Sequence, residues 1–172
     1  MTKNKVYPPK SRYPSGRRKV KFELSAGGLV INLKSGKILV VRDQKNRITF
    51  PKGLVEAKEK VINAAVREVK EETGIKNLEL VEKLGEVKFL YQFQGKLIFK
   101  KIIYFLFKTK DQRIKPQNTE IKDALWLSIN EILKNNPFKN LNPIINKAIK
   151  FTRLNSLWAP RLRGFNRVNP IK

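Results

Sequence analysis

Gly53-Leu-Val-Glu-Ala-Lys-Glu59 and, shortly after it, Arg67-Glu-Val-Lys-Glu-Glu-Thr-Gly-Ile75 decide the reading of this chain. The two runs hold five glutamates (Glu56, Glu59, Glu68, Glu71, Glu72) in a protein with 38 Lys and Arg against 14 Asp and Glu. Ile62, Ala65, Val66 and Val69 recur at i, i+3, i+4 and i+7. That spacing predicts an amphipathic helix over residues 58–73. Gly74 stands where a left-handed cap would end it. On such a helix Glu68, Glu71 and Glu72 share one face. Carboxylates three and four residues apart repel one another, so a cation is expected to offset them. Hard carboxylate oxygens suit Mg2+ or Mn2+. A solvated acidic face is the ordinary alternative. It explains neither the flanking Gly and Arg nor the concentration of five of 14 acids here. Arg67 is expected to pair with Glu59 and orient the cluster. The tight loop Phe50-Pro-Lys-Gly53 is expected to bring backbone carbonyls to the metal, with Gly53 permitting a backbone other residues resist.

Working outward, residues 22–33 read as a strand broken or bulged near Gly27-Gly28. Lys34-Ser-Gly36 is a turn, and residues 37–42 are a second strand, giving a hairpin. Residues 79–93 and 97–108 read as long strands joined at Gln94-Gly95. A short strand follows at Ala124–Leu127, then a helix capped by Ser128 or Asn130. A last helix spans 142–153, with Pro143 in its first turn. Hairpins mixed with helices suggest an α+β, mixed-sheet sandwich. The domain is expected over 22–153, between a basic arm at 1–21 and a basic tail at 154–172.

The 172 residues include no Cys and no His. Disulfides, Cys/His zinc sites and Ser-His or Cys-His catalytic pairs are therefore excluded. No apolar run approaches the ~20 residues of a membrane helix, so no membrane partner is expected. The N-terminus has no signal-like stretch, so a cytoplasmic location is expected. Charge is uneven. Residues 1–22 carry eight bases and no acid, and nine more bases follow Glu131, again with no acid. AT-rich coding accounts for abundant Lys, Asn and Ile, but not for seven of the eleven Arg lying in the two ends. Acid-free basic ends with interleaved aromatics suit a polyanion, most plausibly RNA.

The full pattern is Gly53, five residues, Glu59, seven residues, Arg67-Glu68, an aliphatic, one residue, Glu71-Glu72, one residue, Gly74 and an aliphatic. It resembles the Nudix box at every fixed position, and the likeness extends over about residues 22–150. It implies an α/β/α sandwich around a mixed sheet and Mg2+-dependent hydrolysis of nucleoside diphosphate-linked compounds. By the resemblance, Glu68, Glu71 and Glu72 bind metal, with one of them also helping to activate water; Gly53 and the Lys52 carbonyl line the metal loop; Glu59 and Arg67 are the orienting pair. Ser25-Ala-Gly-Gly28, Phe50-Pro-Lys-Gly53 and Leu84-Gly-Glu86 look most like dinucleoside polyphosphate (diadenosine tetraphosphate) hydrolases. In that subgroup a carboxylate beyond the box assists, and Glu120 matches it best; a surface loop acid is its plain alternative. Tyr104 is expected to stack on a base while Phe105 packs in the core. Arg42 and Lys52 are expected to reach polyphosphate. The subgroup usually has a second Gly or Pro before the box Glu; its absence here implies an altered loop. Two other readings stay open. One is an RNA 5′-end pyrophosphohydrolase, although bacterial ones typically carry Gln where Lys52 stands. The other is a non-catalytic Nudix scaffold on RNA or the ribosome, although such proteins usually lose box glutamates.

Overall fold

The computed structural model describes residues 20–116 and 121–154, with side chains to residue 150. The arm before Val20, the tail after Leu154 and Glu120 lie outside the described residues. The strands are β1 (Val20–Asn32), β2 (Ile38–Asp43), β3 (Ile48–Thr49), β4 (Lys52–Leu54), β5 (Glu79–Phe93), β6 (Lys96–Thr109) and β7 (Ile121–Leu127). The helices are α1 (Val61–Thr73), α2 (Ile129–Asn135) and α3 (Asn142–Leu154), with a 3-10 turn at Lys139–Leu141.

The seven strands form one mixed sheet ordered β3-β2-β1-β6-β5, with β4 on β1 and β7 on β2. β1 runs parallel to β6 from Val20↔Leu97 to Asn32↔Thr109. Its other edge is shared. Ser25–Gly27 pair with β4, and Val30–Ile31 pair with β2. Between them the Gly28 N–H donates to the Pro51 carbonyl at 3.0 Å.

Strand alternation sorts β6 into two faces. Ile102, Tyr104 and Leu106 join a core with α2 and α3, around Ile129, Ile132, Ile144, Ile145 and Ala148. Ile103, Phe105 and Phe107 join a second core with Ala64, Ala65 and Val69 of α1. The result is helix, sheet, helix, as the fold class required.

Several expectations are refined. β1 starts at Val20, two residues before the expected strand start, and runs through Gly27-Gly28 with no bulge. Those glycines answer close approach instead. A Cβ on Gly27 would lie 2.4 Å from the Pro51 carbonyl oxygen, and one on Gly28 would lie 2.7 Å from Val69 Cγ2. α1 starts at Val61, not 58, because Glu56 to Glu59 form a turn with Lys58 at φ 67°. Register shifts fall elsewhere, on β5 between Leu80 and Glu82 and between Lys83 and Gly85, and on β2 between Arg42 and Asp43. Gly74 ends α1 at φ 74°, and Ser128 caps α2 in a capping box with Glu131. Gln94 and Gly95 turn the β5–β6 hairpin at φ 47° and 73°, the left-handed conformations a tight hairpin needs.

Candidate active site

The Arg67 guanidinium is the centre of the acid cluster. Its Nε donates to Glu59 Oε1 at 3.0 Å and its Nη2 to Glu59 Oε2 at 3.0 Å. Nη2 also donates to the Leu54 carbonyl at 2.9 Å. Nη1 donates to Glu68 Oε1 at 2.7 Å and to Glu71 Oε2 at 3.3 Å. A guanidinium carries five N–H donors in a fixed plane, and five bonds leave this one. It therefore locks α1 to β4 and to the turn before the helix. A Lys could not reproduce the fork. Glu59 Oε2 also accepts from the Glu56 N–H at 3.0 Å, which closes the turn at Lys58. The Arg67 bonds, then the Glu56 N–H, hold the Glu59 carboxyl below its usual range, and Glu59 in turn raises the already high Arg67.

Gly53 is set by the same cluster. A Cβ there would lie 2.1 Å from the Glu68 carboxyl, so the loop meets the acid with backbone alone. One turn later Glu72 Oε2 accepts from the Lys52 N–H at 3.0 Å. Glu68 and Glu72 are buried, at 8% and 5% exposure, whereas the Glu71 side chain is half exposed. The structure thus brings Glu59, Arg67, Glu68 and Glu71 into one network and ties Glu72 to the loop. Among the described residues no three acidic side chains are already gathered as a metal cage.

Beside β4, on the α2/α3 side of the sheet, lies a cavity of about 480 Å3. Phe89, Tyr91 and Phe138 supply aromatic walls; Arg47, Lys52 and Lys100 supply cations. Arg47 is held by Asp43 at 2.7 Å and lies over the Phe138 ring at 5.3 Å. Burial pushes the Lys52 ammonium below its usual value, while Glu72 and Glu68 pull it back up. Tyr104 lines the inner wall, but it is 1% exposed and meets Phe50 edge-on at 6.1 Å. Burial raises its hydroxyl well above the usual value, against a bond from Thr49. Phe105 packs in the α1-side core. Arg42 does not line the cavity, and its guanidinium bonds Asn46 Oδ1 at 3.4 Å. Sequence reading missed Phe89, Tyr91, Phe138 and Arg47. The available signal was Val87, Phe89 and Tyr91 at i, i+2 and i+4, an apolar stripe on one face of a strand.

The family model for the NUDIX domain matches residues 21–148. The chain belongs to the Nudix family. It is 34% identical over 116 residues to Nudix hydrolase 6 of Arabidopsis thaliana, covering 63% of this chain and 40% of that protein. It is 32% identical over 132 residues to the RNA pyrophosphohydrolase of Pelagibacter ubique, covering 66% and 82%. Among solved structures, the Ap4A hydrolase of C. elegans aligns at TM-score 0.60 and 22% identity, covering 75% of this chain and 96% of that one; this likeness establishes the fold. The chain spans from 39% to 54% of the length of the first curated relatives it matches. Nudix hydrolases use divalent metals such as Mg2+. The residues of this Nudix domain fit such an ion. All donors are hard oxygens, two of the carboxylates are buried, and Gly53 keeps the loop against Glu68 clear of any side chain.

Proposed function

We propose that this Nudix domain is a Mg2+- or Mn2+-dependent phosphoanhydride hydrolase acting on dinucleoside polyphosphates, with diadenosine tetraphosphate giving ATP and AMP. The observation that carries the reading is the two-sided cavity beside the acid cluster. Its aromatic side suits a nucleobase and its cationic side suits phosphates. Lys52 belongs to both places, through its side chain in the cavity and its N–H on Glu72.

Glu68, Glu71 and Glu72 would hold the ion, with Gly53 and the Lys52 carbonyl in the loop beside it. When bound, the cation neutralises phosphate charge and acidifies the attacking water. Arg67 and Glu59 keep Glu68 oriented. Arg47, Lys52 and Lys100 bind phosphate oxygens, while Phe89, Tyr91 and Phe138 hold the base. Water oxygen bonds to a phosphorus, the phosphoanhydride P–O bond breaks, and the water's proton leaves to a cluster carboxylate. Glu120, outside the described residues, remains the proposed assisting acid beyond the box.

A second reading has its own support. The Pelagibacter relative is named for RNA pyrophosphohydrolysis and is matched over 82% of its length. One panel separates the two: diadenosine tetraphosphate, nucleoside triphosphates, ADP-ribose and 5′-triphosphorylated RNA, each with Mg2+. Selective release of ATP and AMP is expected. Cleavage of the RNA end alone would replace the first reading with the second. No turnover by folded, Mg2+-binding protein would leave a non-catalytic RNA-bound role.

A further inference from the structure

The far end of β1 carries a second concavity, of about 590 Å3. Three loops meet there: the one after β1, the one after α1 and the one after β6. Lys34, Lys76, Lys110, Arg113 and Lys115 line it, with Asp111 as the single acid. Gly74, which ends α1, lines it, so at ~1.5 Å per residue the groove begins about 9 Å along the helix from Glu68, and it shares no lining residue with the cavity beside β4.

The loops are fixed. Buried Asn32 donates from Nδ2 to the Asp111 carbonyl at 2.6 Å and accepts the N–H groups of Lys34 and Ser35 at 2.9 and 3.0 Å. The Asp111 carboxylate accepts the Lys76 N–H at 3.2 Å, the Asn77 N–H at 3.0 Å and the Asn77 side-chain amide. Those bonds hold it ionised, below its usual range. The acid's hydrogen bonds thus join two loops, and of the groove cations Lys34 adds a weaker electrostatic pull on it. The negative end of α1 is also covered, since the Lys115 N–H donates to the Thr73 carbonyl at 3.0 Å. Among the described residues, none of the five cations forms an ion pair.

We propose that this groove binds the phosphodiester backbone of a nucleic-acid strand, at a site separate from the hydrolytic one. No lining side chain is aromatic or aliphatic. A protein partner would want buried apolar anchors, whereas phosphates want exposed cations on a rigid frame. With no base-stacking group, recognition is of backbone, not sequence. This site lies on the folded domain and is independent of the basic ends.

The test uses the full chain and a fluorescent single-stranded RNA, with a DNA strand in parallel. Binding is measured from 50 to 300 mM salt. The groove variant carries Lys34→Gln, Lys76→Gln, Lys110→Gln and Arg113→Gln. A control of equal charge carries Lys45→Gln, Lys96→Gln, Lys134→Gln and Lys150→Gln, all exposed and distant in the chain from the groove loops. Four lost phosphate contacts at ~0.7 each should flatten the salt slope by about 3 in the groove variant and by less than 1 in the control. Equal flattening in both would show that net charge alone acts, and flattening in neither would show that the groove cations make no phosphate contacts; either result would overturn the site. Acylation of the parent protein gives a readout that needs no variant. Bound RNA should shield Lys34, Lys76 and Lys110 while Lys45 and Lys96 stay reactive. The reverse pattern would overturn the site, as would displacement of RNA by polyglutamate as readily as by polyphosphate. Turnover of diadenosine tetraphosphate by the groove variant is scored separately, so failure of one proposal does not carry the other.

Discussion

Gly53→Ala separates the chemistry of the cluster from the stability of the fold. The new Cβ would start 2.1 Å from the Glu68 carboxyl, and ordinary contact begins at 3.4 Å, so about 1.3 Å of movement is needed. What stands in the way is the far end of a side chain, which can swing. The backbone can stay. The Arg67 Nη1 bond to Glu68 at 2.7 Å would break or lengthen, a charge-assisted hydrogen bond worth ~1.5–3 kcal/mol. A loss of that size lowers Tm by about 3–12 °C in a domain of this length. The effect on turnover should be far larger, since ~1 Å of misplacement in a catalytic array costs on the order of 100-fold. Gly27→Ala is the counterpart. Its Cβ would meet the Pro51 carbonyl oxygen at 2.4 Å and Lys52 Cβ at 2.6 Å. Backbone cannot swing aside, so this variant should lose stability as well as activity. The assay is kcat/KM on the best substrate of the panel beside a thermal melt. Gly53→Ala within threefold of the parent, or melting as low as Gly27→Ala, would refute the assignment of Glu68 as the group that yields.

Glu72→Gln should keep the fold, because an amide oxygen can still accept the Lys52 N–H, and should lose activity by 100-fold or more; unchanged turnover would reject Glu72 as a metal ligand. Tyr91→Ala should raise KM by about tenfold with little change in kcat, the signature of lost uniform binding; an equal fall in kcat would move Tyr91 into the chemistry. Lys58→Gly should stabilise the domain by about 0.5–1 kcal/mol, since a non-glycine at φ 67° pays for a left-handed backbone; a lower Tm would show that the Lys58 side chain matters more than its backbone. Glu59 is held below its ordinary 4.5 in the folded state. Its contribution to stability is therefore complete above that value and fades as pH falls through the lower folded value. Melts from pH 6 to pH 3 should decline less steeply for Glu59→Gln than for the parent, and parallel curves would sink the claim.

What could be read without the structure follows from range. The α1 stripe, the Gly74 cap and the Glu59–Arg67 pair depend on spacing within about ten residues, and a helix converts such spacing directly into shared faces. The Gln94-Gly95 hairpin was legible for the same reason. β3 and β4 were not, since two and three residues are too few for a strand period to show. Gly27-Gly28 suggested a bulge because a glycine pair in a strand usually means backbone freedom; here it means room for Pro51, Lys52, Val69 and Phe107, a tertiary fact. The cavity was least legible. Its walls come from β5, β6, the β2–β3 turn and the segment before α3, and no local pattern places Phe138 beneath Arg47.

The divided edge of β1 explains why the two halves of the candidate site meet. A strand has one edge on each side, and β6 takes all of one. β4 and β2 must share the other, and they part at Gly28, where Pro51 supplies the acceptor. That parting leaves β4 a three-residue strand between two layers. The acid cluster of α1 lies on one side of it and the cavity lies on the other. Lys52 therefore serves both, donating its N–H to Glu72 and placing its side chain among Thr49, Lys100 and Tyr104. Gly53, next in sequence, must carry no side chain, because Glu68 fills that position. Any change that widens the gap at Gly27-Gly28 should loosen both sides together, which makes this junction, and not the helix alone, the structural origin of the site.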